Sequence, residues 1–552
     1  MPPIRLALAQ TNPVLGDLRG NAEAMIAIVK TAATHGADLV LFGEMALSGY
    51  PIEDLAYRPA FLTECQSELD RFAKRLVAEG LGPITVVVGH PAHAKSGTHN
   101  GWAIARNVAS VLRNGELVTD YTKHHLPNYS VFDEYRVFVP GSDLSSFDLA
   151  GLRFSLLICE DIWQSGGPVA DVYKRGTDVA LILNGSPFQM EKDDRRLELV
   201  KNLAKTQQCA VAYVNLAGGQ DDLVFEGDSI YVTAKGEVVQ RSPKFTDALT
   251  FVDITSKNAA VSPTSATQPP TDARAEVWAA LVAGLRDYVT KNGFKSVILG
   301  LSGGIDSAVC AALAVDALGP SRVFGVSMPS DYSSDHSKSD AFDLASRLGI
   351  DCRTEAIAQI TAIAESQLSL TGIAAENLQA RVRGIILMGL SNQEGHLTLT
   401  TGNKTELAVG YSTIYGDSVG GFAPLKDVEK TLVWELARWR NTAAREQGVT
   451  EPIPANSIEK PPSAELRPGQ VDQDSLPPYD LLDALLRGYV EQHQNREELI
   501  AAGFEAGTVD KVIKLVDGSE WKRRQGAIGP KITGLSFGRD RRMPITNRFR
   551  QS

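Results

Sequence analysis

Two groups of residues in this chain are of the right types and spacing to do chemistry. In the first, Val297, Ile298, Leu299, Gly300 and Leu301 form an apolar run that enters Ser302, Gly303, Gly304, Ile305, Asp306 and Ser307. Small, helix-compatible residues follow from Ala308. Strand, tight glycine turn and helix start gather backbone N–H groups, hydroxyls and a helix N-terminus around one point, which suits a chain of phosphates. No Gly-Lys-Ser/Thr follows, so this is not a Walker loop. The second group is Glu44, Lys123 and Cys159, each at or near the carboxyl end of a β-rich run. A thiol attacks an amide carbon only after losing its proton. Glu44 could take that proton and later activate water, and Lys123 could hold the oxyanion.

The elements that must position these residues can be read from hydrophobic periodicity. Before residue 257, short apolar runs (4–9, 38–42, 84–89, 154–159, 179–183 and 210–214) alternate with amphipathic stretches such as 21–35 and 60–79. That pattern predicts a layered α/β unit. Residues 257–272 are small, polar and proline-bearing, and read as a linker. A helix is expected over 273–292, then strands over 297–301, 322–327 and 397–401 alternating with helices. This predicts a doubly wound parallel sheet with its ligand at the strands' carboxyl ends. The domains expected are thus 1–256 and 273–552, with the linker between them. Residues 453–478 are proline-rich and polar, and fit either a loop over a site or a surface excursion.

Composition narrows the class. At 552 residues the chain is too long for one core. Fifty-five basic and 66 acidic residues give a formal charge of −11, which argues against broad nucleic-acid binding. The five cysteines are scattered, with no C-x-x-C, so a reducing compartment, the cytoplasm, is expected, without disulfides or a zinc site. No apolar stretch is long enough to span a bilayer, so no membrane partner is expected.

In the second half, Asn377 and Arg381 lie i,i+4 on a predicted helix and share a face, while Glu376 and Arg383 point elsewhere. The run 397–401 ends in a polar glycine turn at Gly402, then a helix carrying Glu406. Asp306 and Glu406 offer hard oxygen ligands for Mg²⁺, and two carboxylates beside a chain of phosphates call for such a metal.

The flanks of these residues carry resemblances. The loop 302–307 resembles the pyrophosphate loop of ATP pyrophosphatases, which split ATP between its α- and β-phosphates. The first 255 or so residues resemble the nitrilase superfamily, in the opening 6–12, the surroundings of Glu44, Lys123 and Cys159, and the late Phe225, Glu226, Gly227, Asp228, Ser229. That resemblance implies a four-layer α-β-β-α sandwich with Glu44 as general base, Lys123 as oxyanion stabiliser and Cys159 as nucleophile. The stretch from Asn184 to Lys192 looks like the glutamine-binding part of nitrilase-type glutaminase domains, with Tyr129, Ser186 and Lys192 contacting glutamine by resemblance. Four stretches together, 302–307, 376–381, 401–410 with 415–417, and 521–525, resemble the NAD synthetase family in its glutamine-dependent form.

This second resemblance implies a Rossmann-like synthetase domain. In it Gly300, Leu301, Ser302, Gly303, Gly304, Ile305, Asp306, Ser307 and Thr401 would contact ATP, with Lys430 and Ser463 as further ATP ligands. Asp306 and Glu406 would bind Mg²⁺, and Asn377, Arg381, Glu406 and Lys522 would face deamido-NAD. Ammonia-only relatives carry a lysine where this chain has Ile414, which agrees with the glutamine-using subgroup. The implied reaction amidates deamido-NAD to NAD⁺ through an adenylate, with ammonia from L-glutamine reaching it by a sheltered passage. AMP, pyrophosphate and glutamate would be the other products, and a homo-oligomer is implied. The rivals are a synthetase for another acid, a nucleotide sensor with a decayed glutaminase, and a tRNA-modifying enzyme.

Overall fold

The computed structural model describes residues 3–94, 101–190, 192–263, 272–330, 335–467 and 469–546. The chain divides into two compact units, 1–220 with 224–271, and 221–223 with 272–552.

The first unit has strands β1 (Ile4–Gln10), β2 (Leu39–Phe42), β3 (Thr85–His93), β4 (Ala105–Arg113), β5 (Glu116–Thr122), β6 (Ser146–Leu149), β7 (Leu152–Ile158), β8 (Val179–Asn184), β9 (Ala210–Asn215), β10 (Ala217–Gln220), β11 (Leu223–Glu226), β12 (Ile230–Val232), β13 (Val238–Arg241), β14 (Ala248–Ser256) and β15 (Ala259–Val261). Among the described residues they form one sheet ordered β15-β14-β1-β2-β3-β4-β5, a second ordered β13-β12-β9-β8-β7-β6, and the β10–β11 hairpin. The middle strands β1-β2-β3 and β7-β8-β9 are parallel. Alternation along β1 explains the layering. Ala7 and Ala9 pack on Met25, Ile26 and Val29 of helix Leu18–Thr34 and Phe72 of helix Pro59–Ala78. Leu6 and Leu8 face the second sheet, with Leu156, Leu181 and Val211. Helix Lys192–Gln207 covers that sheet's far side through Val200, Leu203 and Ala204. This is the α-β-β-α sandwich. The start of the segment read as a linker adds edge strand β15 to the first sheet; residues 264–271 of it lie outside the described residues.

The second unit has β16 (Val297–Gly300), β17 (Val323–Ser327), β18 (Asp351–Thr354) and β19 (Leu397–Thr398), all parallel, in the order β18-β17-β16-β19. Helices Ile305–Leu318, Asp335–Leu348 and Ile373–Glu394 connect them. The winding reverses at β16, so the loops leaving β16 and β19 diverge and open a crevice. β19 ends earlier than the periodicity of 397–401 predicts. Thr400 leaves the ladder because its N–H donates to Phe422 O and its hydroxyl to Asp417 O. A second apolar cluster (Val409, Leu482, Leu485, Val512, Val516) joins helices Lys404–Val409, Tyr479–Leu486 and Ala506–Gly518 behind the site.

Candidate active sites

In the first unit, four chain segments deliver ionisable side chains to one buried point. Glu44 follows β2, Lys123 follows β5, Glu134 opens helix Glu134–Val137, and Cys159 follows β7. Glu44 and Lys123 are fully buried, and Glu134 and Cys159 nearly so. Lys123 Nζ donates to Glu44 Oε1 at 2.8 Å and to Glu134 Oε1 at 2.9 Å. Glu44 also accepts from Asn107 Nδ2 at 2.7 Å and Gly185 N at 2.8 Å, and Glu134 accepts from Tyr50 OH at 2.7 Å. Burial opposes the Lys123 charge, but Glu134 and Glu44 overcome it and hold the ammonium well above its ordinary range. Burial, against the pull of Lys123, pushes Glu134 up to about 7. Burial and then the Glu44 charge push the Cys159 thiol up, so it rests protonated beside a base. Cys159 sits at φ +41°, a left-handed turn that turns its side chain off the end of β7. Asp161 pins that turn by accepting from Ile158 N, His124 N, His125 N and Tyr121 OH.

The glutamine candidates lie around this point. Ser186 is buried two residues past β8, and Arg196, in a buried ion pair with Glu226, donates to its Oγ at 3.4 Å. Tyr129 is half-exposed and donates to Glu160 Oε2 at 2.9 Å. Lys192 opens helix Lys192–Gln207 with its ammonium 5.6 Å from the Trp163 ring centre.

In the second unit the crevice between β16 and β19 holds a cavity of about 310 Å³. Gly300, Leu301, Ser302, Gly304, Ile305, Asp306 and Ser307 line one side. Ser302 Oγ accepts from Gly304 N at 3.2 Å and lies 3.1 Å from Ser307 Oγ, which closes the turn. Gly303 has φ +75°, and a Cβ there would stand 2.5 Å from Ser337 O, so glycine is required. Thr401, Glu406, Lys430 and Ser463 line the other walls. Lys430 Nζ donates to Asp306 Oδ2 at 2.5 Å and Glu406 Oε1 at 3.1 Å, and Asn403 Nδ2 donates to Asp306 Oδ1 at 2.9 Å. Burial, only partly offset by Lys430, pushes Glu406 up to about 7.

Residues 277–526 match the NAD synthase family and residues 5–262 the carbon-nitrogen hydrolase family. Glutamine-dependent NAD(+) synthetases of Acinetobacter baylyi and Thermotoga maritima are 44% and 42% identical to the chain, covering 100% and 99% of it and 99% of each relative. The chain belongs to the glutamine-dependent NAD(+) synthetase family. A solved structure of the Acinetobacter baumannii glutamine-dependent NAD⁺ synthetase, in complex with ADP, is 40% identical, with a TM-score of 0.77 over 100% of both chains. This synthetase is therefore an enzyme of NAD biosynthesis, a ligase with glutaminase and ATP-using domains.

Not every expected residue of the synthetase reaches the cavity. Gly303, Asn377, Arg381 and Lys522 lie outside its lining, and the last three grip one turn instead. Asn377 Oδ1 accepts from Thr413 Oγ1 at 2.8 Å, Arg381 Nε donates to Ile414 O at 3.3 Å, and Lys522 Nζ donates to Gly410 O and Ser412 O. Arg383, expected to point away, lines the cavity, with its Nε donating to Met328 O at 3.1 Å. The i,i+4 spacing of Asn377 and Arg381 brings both to the same turn, while Arg383 is the residue of their helix that lines the cavity. Residues 460–466 of the proline-rich segment form one wall. Glu134, which joins the Glu44–Lys123 cluster, is the other residue that sequence reasoning did not single out. It was visible as an acid eleven residues beyond Lys123, with nothing to mark its burial.

Proposed function

We propose that this synthetase releases ammonia from L-glutamine at Cys159 and uses it, with ATP, to amidate deamido-NAD. One observation carries the reading: Lys123 donates to Glu44 at 2.8 Å in a buried cluster that Cys159 shares, beside a glutamine-type wall at Ser186. The thiol sulfur bonds to the side-chain amide carbon of glutamine while its proton passes to Glu44. Lys123, fixed between Glu44 and Glu134, faces the oxyanion. Collapse of the tetrahedral adduct returns that proton to the leaving ammonia. Water, deprotonated by Glu44, then clears the thioester as glutamate.

In the second unit, ATP lies with its phosphates on the loop 302–307. The nicotinate carboxylate of deamido-NAD attacks the α-phosphate, pyrophosphate leaves, and ammonia displaces AMP from the adenylate. The donor set fits Mg²⁺: Asp306 and Glu406 converge on one cation position, now taken by the Lys430 ammonium. Two carboxylates, with phosphate and water oxygens, are what that ion takes. Bound there, Mg²⁺ supplies charge neutralisation between the phosphates. Asn377, Arg381 and Lys522 hold the 410–417 turn against which deamido-NAD rests. The exposed apolar side chains Ile360, Ile363 and Leu368 of helix Ala358–Leu368, with Ile373 and Ile385, support assembly of copies through this unit. The scattered free cysteines support a cytoplasmic location.

The test is product analysis. With deamido-NAD, ATP and glutamine, NAD⁺, AMP, pyrophosphate and glutamate are expected in equal amounts. ADP and inorganic phosphate would overturn the assignment of the loop.

A further inference from the structure

Helix Lys430–Glu446 begins with amides that its N-cap residue, Glu429, leaves without a side-chain acceptor. Two residues from other elements supply acceptors. Thr405 Oγ1, on helix Lys404–Val409, accepts from Lys430 N at 2.9 Å. Asp483 Oδ2, on helix Tyr479–Leu486, accepts from Thr431 N at 2.9 Å. The Thr405 hydroxyl then donates to Asp483 Oδ1 at 2.5 Å, closing a ring. Thr405 and Asp483 are fully buried, and neither lines the cavity. Yet the ring joins the main chain at Lys430 to the main chain next to Glu406, and those two side chains meet at 3.1 Å in the cavity.

We propose that Thr405 and Asp483 are positioning residues, a latch that sets where the Lys430 ammonium stands relative to Glu406 and Asp306 and thereby the affinity for the ATP phosphates. The latch rests on the reading that Asp306, Glu406 and Lys430 hold Mg²⁺ and ATP. Its geometry gives it leverage. The two helices are tied at their first turns, the end from which both cavity side chains extend, so a small rotation there moves both. A buried carboxylate that accepts two hydrogen bonds, one from a hydroxyl and one from an amide, resists that rotation.

The test is calorimetric titration of the full-length enzyme with ATP in the presence of magnesium, alongside KM for ATP and kcat with ammonium chloride as nitrogen donor. Asp483→Ala and Thr405→Val are expected to weaken ATP binding about tenfold, the scale of one lost hydrogen bond to a charged group. Thr405→Ser keeps the hydroxyl and is expected to bind ATP as the wild type does. Asp483→Asn preserves shape but turns an N–H₂ on one of its donors, and is expected to weaken ATP while melting near the wild-type temperature. The double variant Thr405→Val with Asp483→Ala is expected to bind no worse than the weaker single, because the two act as one unit. Unchanged ATP affinity in the single variants overturns the latch, as does a Thr405→Ser as weak as Thr405→Val, or additive losses in the double. Glu406→Gln separates the two levels. If it weakens ATP and the latch variants do not, the latch alone falls; if it too binds normally, the reading of the cavity falls first.

Discussion

Glu134→Gln tests the glutaminase chemistry most directly. The substitution keeps the shape and one oxygen for Tyr50 OH, and removes one of two carboxylates on Lys123. The Lys123–Glu134 contact is 2.8–2.9 Å long in a site with 0% and 5% side-chain exposure, so solvent does not replace it. A hydrogen bond between charged groups in such a place is worth about 1.5–3 kcal/mol, and one factor of ten in rate costs about 1.4 kcal/mol. Glutamine-driven NAD⁺ formation is therefore expected to fall roughly 10–150-fold in kcat/KM. Because burial pushes Glu134 up to about 7, the wild-type glutaminase rate should also depend on an ionisation near neutrality that the variant lacks. Glutamate release measured from pH 5.5 to 9 reads both effects, and synthesis from ammonium salts reads the other site. A glutamine-driven rate within twofold of wild type, or an equal fall with ammonium, would refute the reasoning.

Three further outcomes are expected. Cys159→Ala should abolish glutamine-driven synthesis and leave ammonium-driven synthesis, which product formation with each nitrogen source checks. Gly303→Ala forces a side chain into φ +75° and onto Ser337 O, and should raise the KM for ATP about tenfold at a strain of about 1–2 kcal/mol, read in the ammonium assay. Glu429 is held up to about 7, by burial first and then by Asp483, against an ordinary 4.5. The fold thus favours its protonated form, and its contribution to stability is complete below about pH 4.5 and lost as the pH rises through 7. Glu429→Gln should accordingly be more stable than wild type at pH 8, by about 1–2 kcal/mol after allowing for partial solvent contact. Chemical denaturation should show that gain vanish below about pH 5, and a gap that is constant with pH refutes it.

What could be read from the sequence follows from the range of the forces involved. Apolar runs that end in Phe42, Ile158, Asn184 and Gly300 declared themselves, because a buried parallel strand must be hydrophobic on both faces. Glycine at 303 was legible because the turn admits nothing else. Glu134 was not, because it sits in a helix of four residues, too short to show a period, and its buried partners Tyr50 and Lys123 come from elsewhere in the chain. Arg383 and the wall at 460–466 were misjudged or left open for the same reason: which face of a helix or loop meets a ligand depends on the crevice, which forms only when β16 and β19 pair. Strands β4, β5, β10 and β13 carry mixed polar sequences, and only their ladder partners make them strands.

One carboxylate in the first unit has a consequence beyond local order. Asp161 grips the turn that presents Cys159 and, with its other oxygen, the amides of His124 and His125 that follow directly on Lys123. Thiol and ammonium therefore hang from a single nail. Drift at one is shared by the other, so evolution or engineering cannot adjust the thiol's aim alone, and a chain that keeps both groups but loses this acid would carry a complete set of tools it could no longer bring to the same spot.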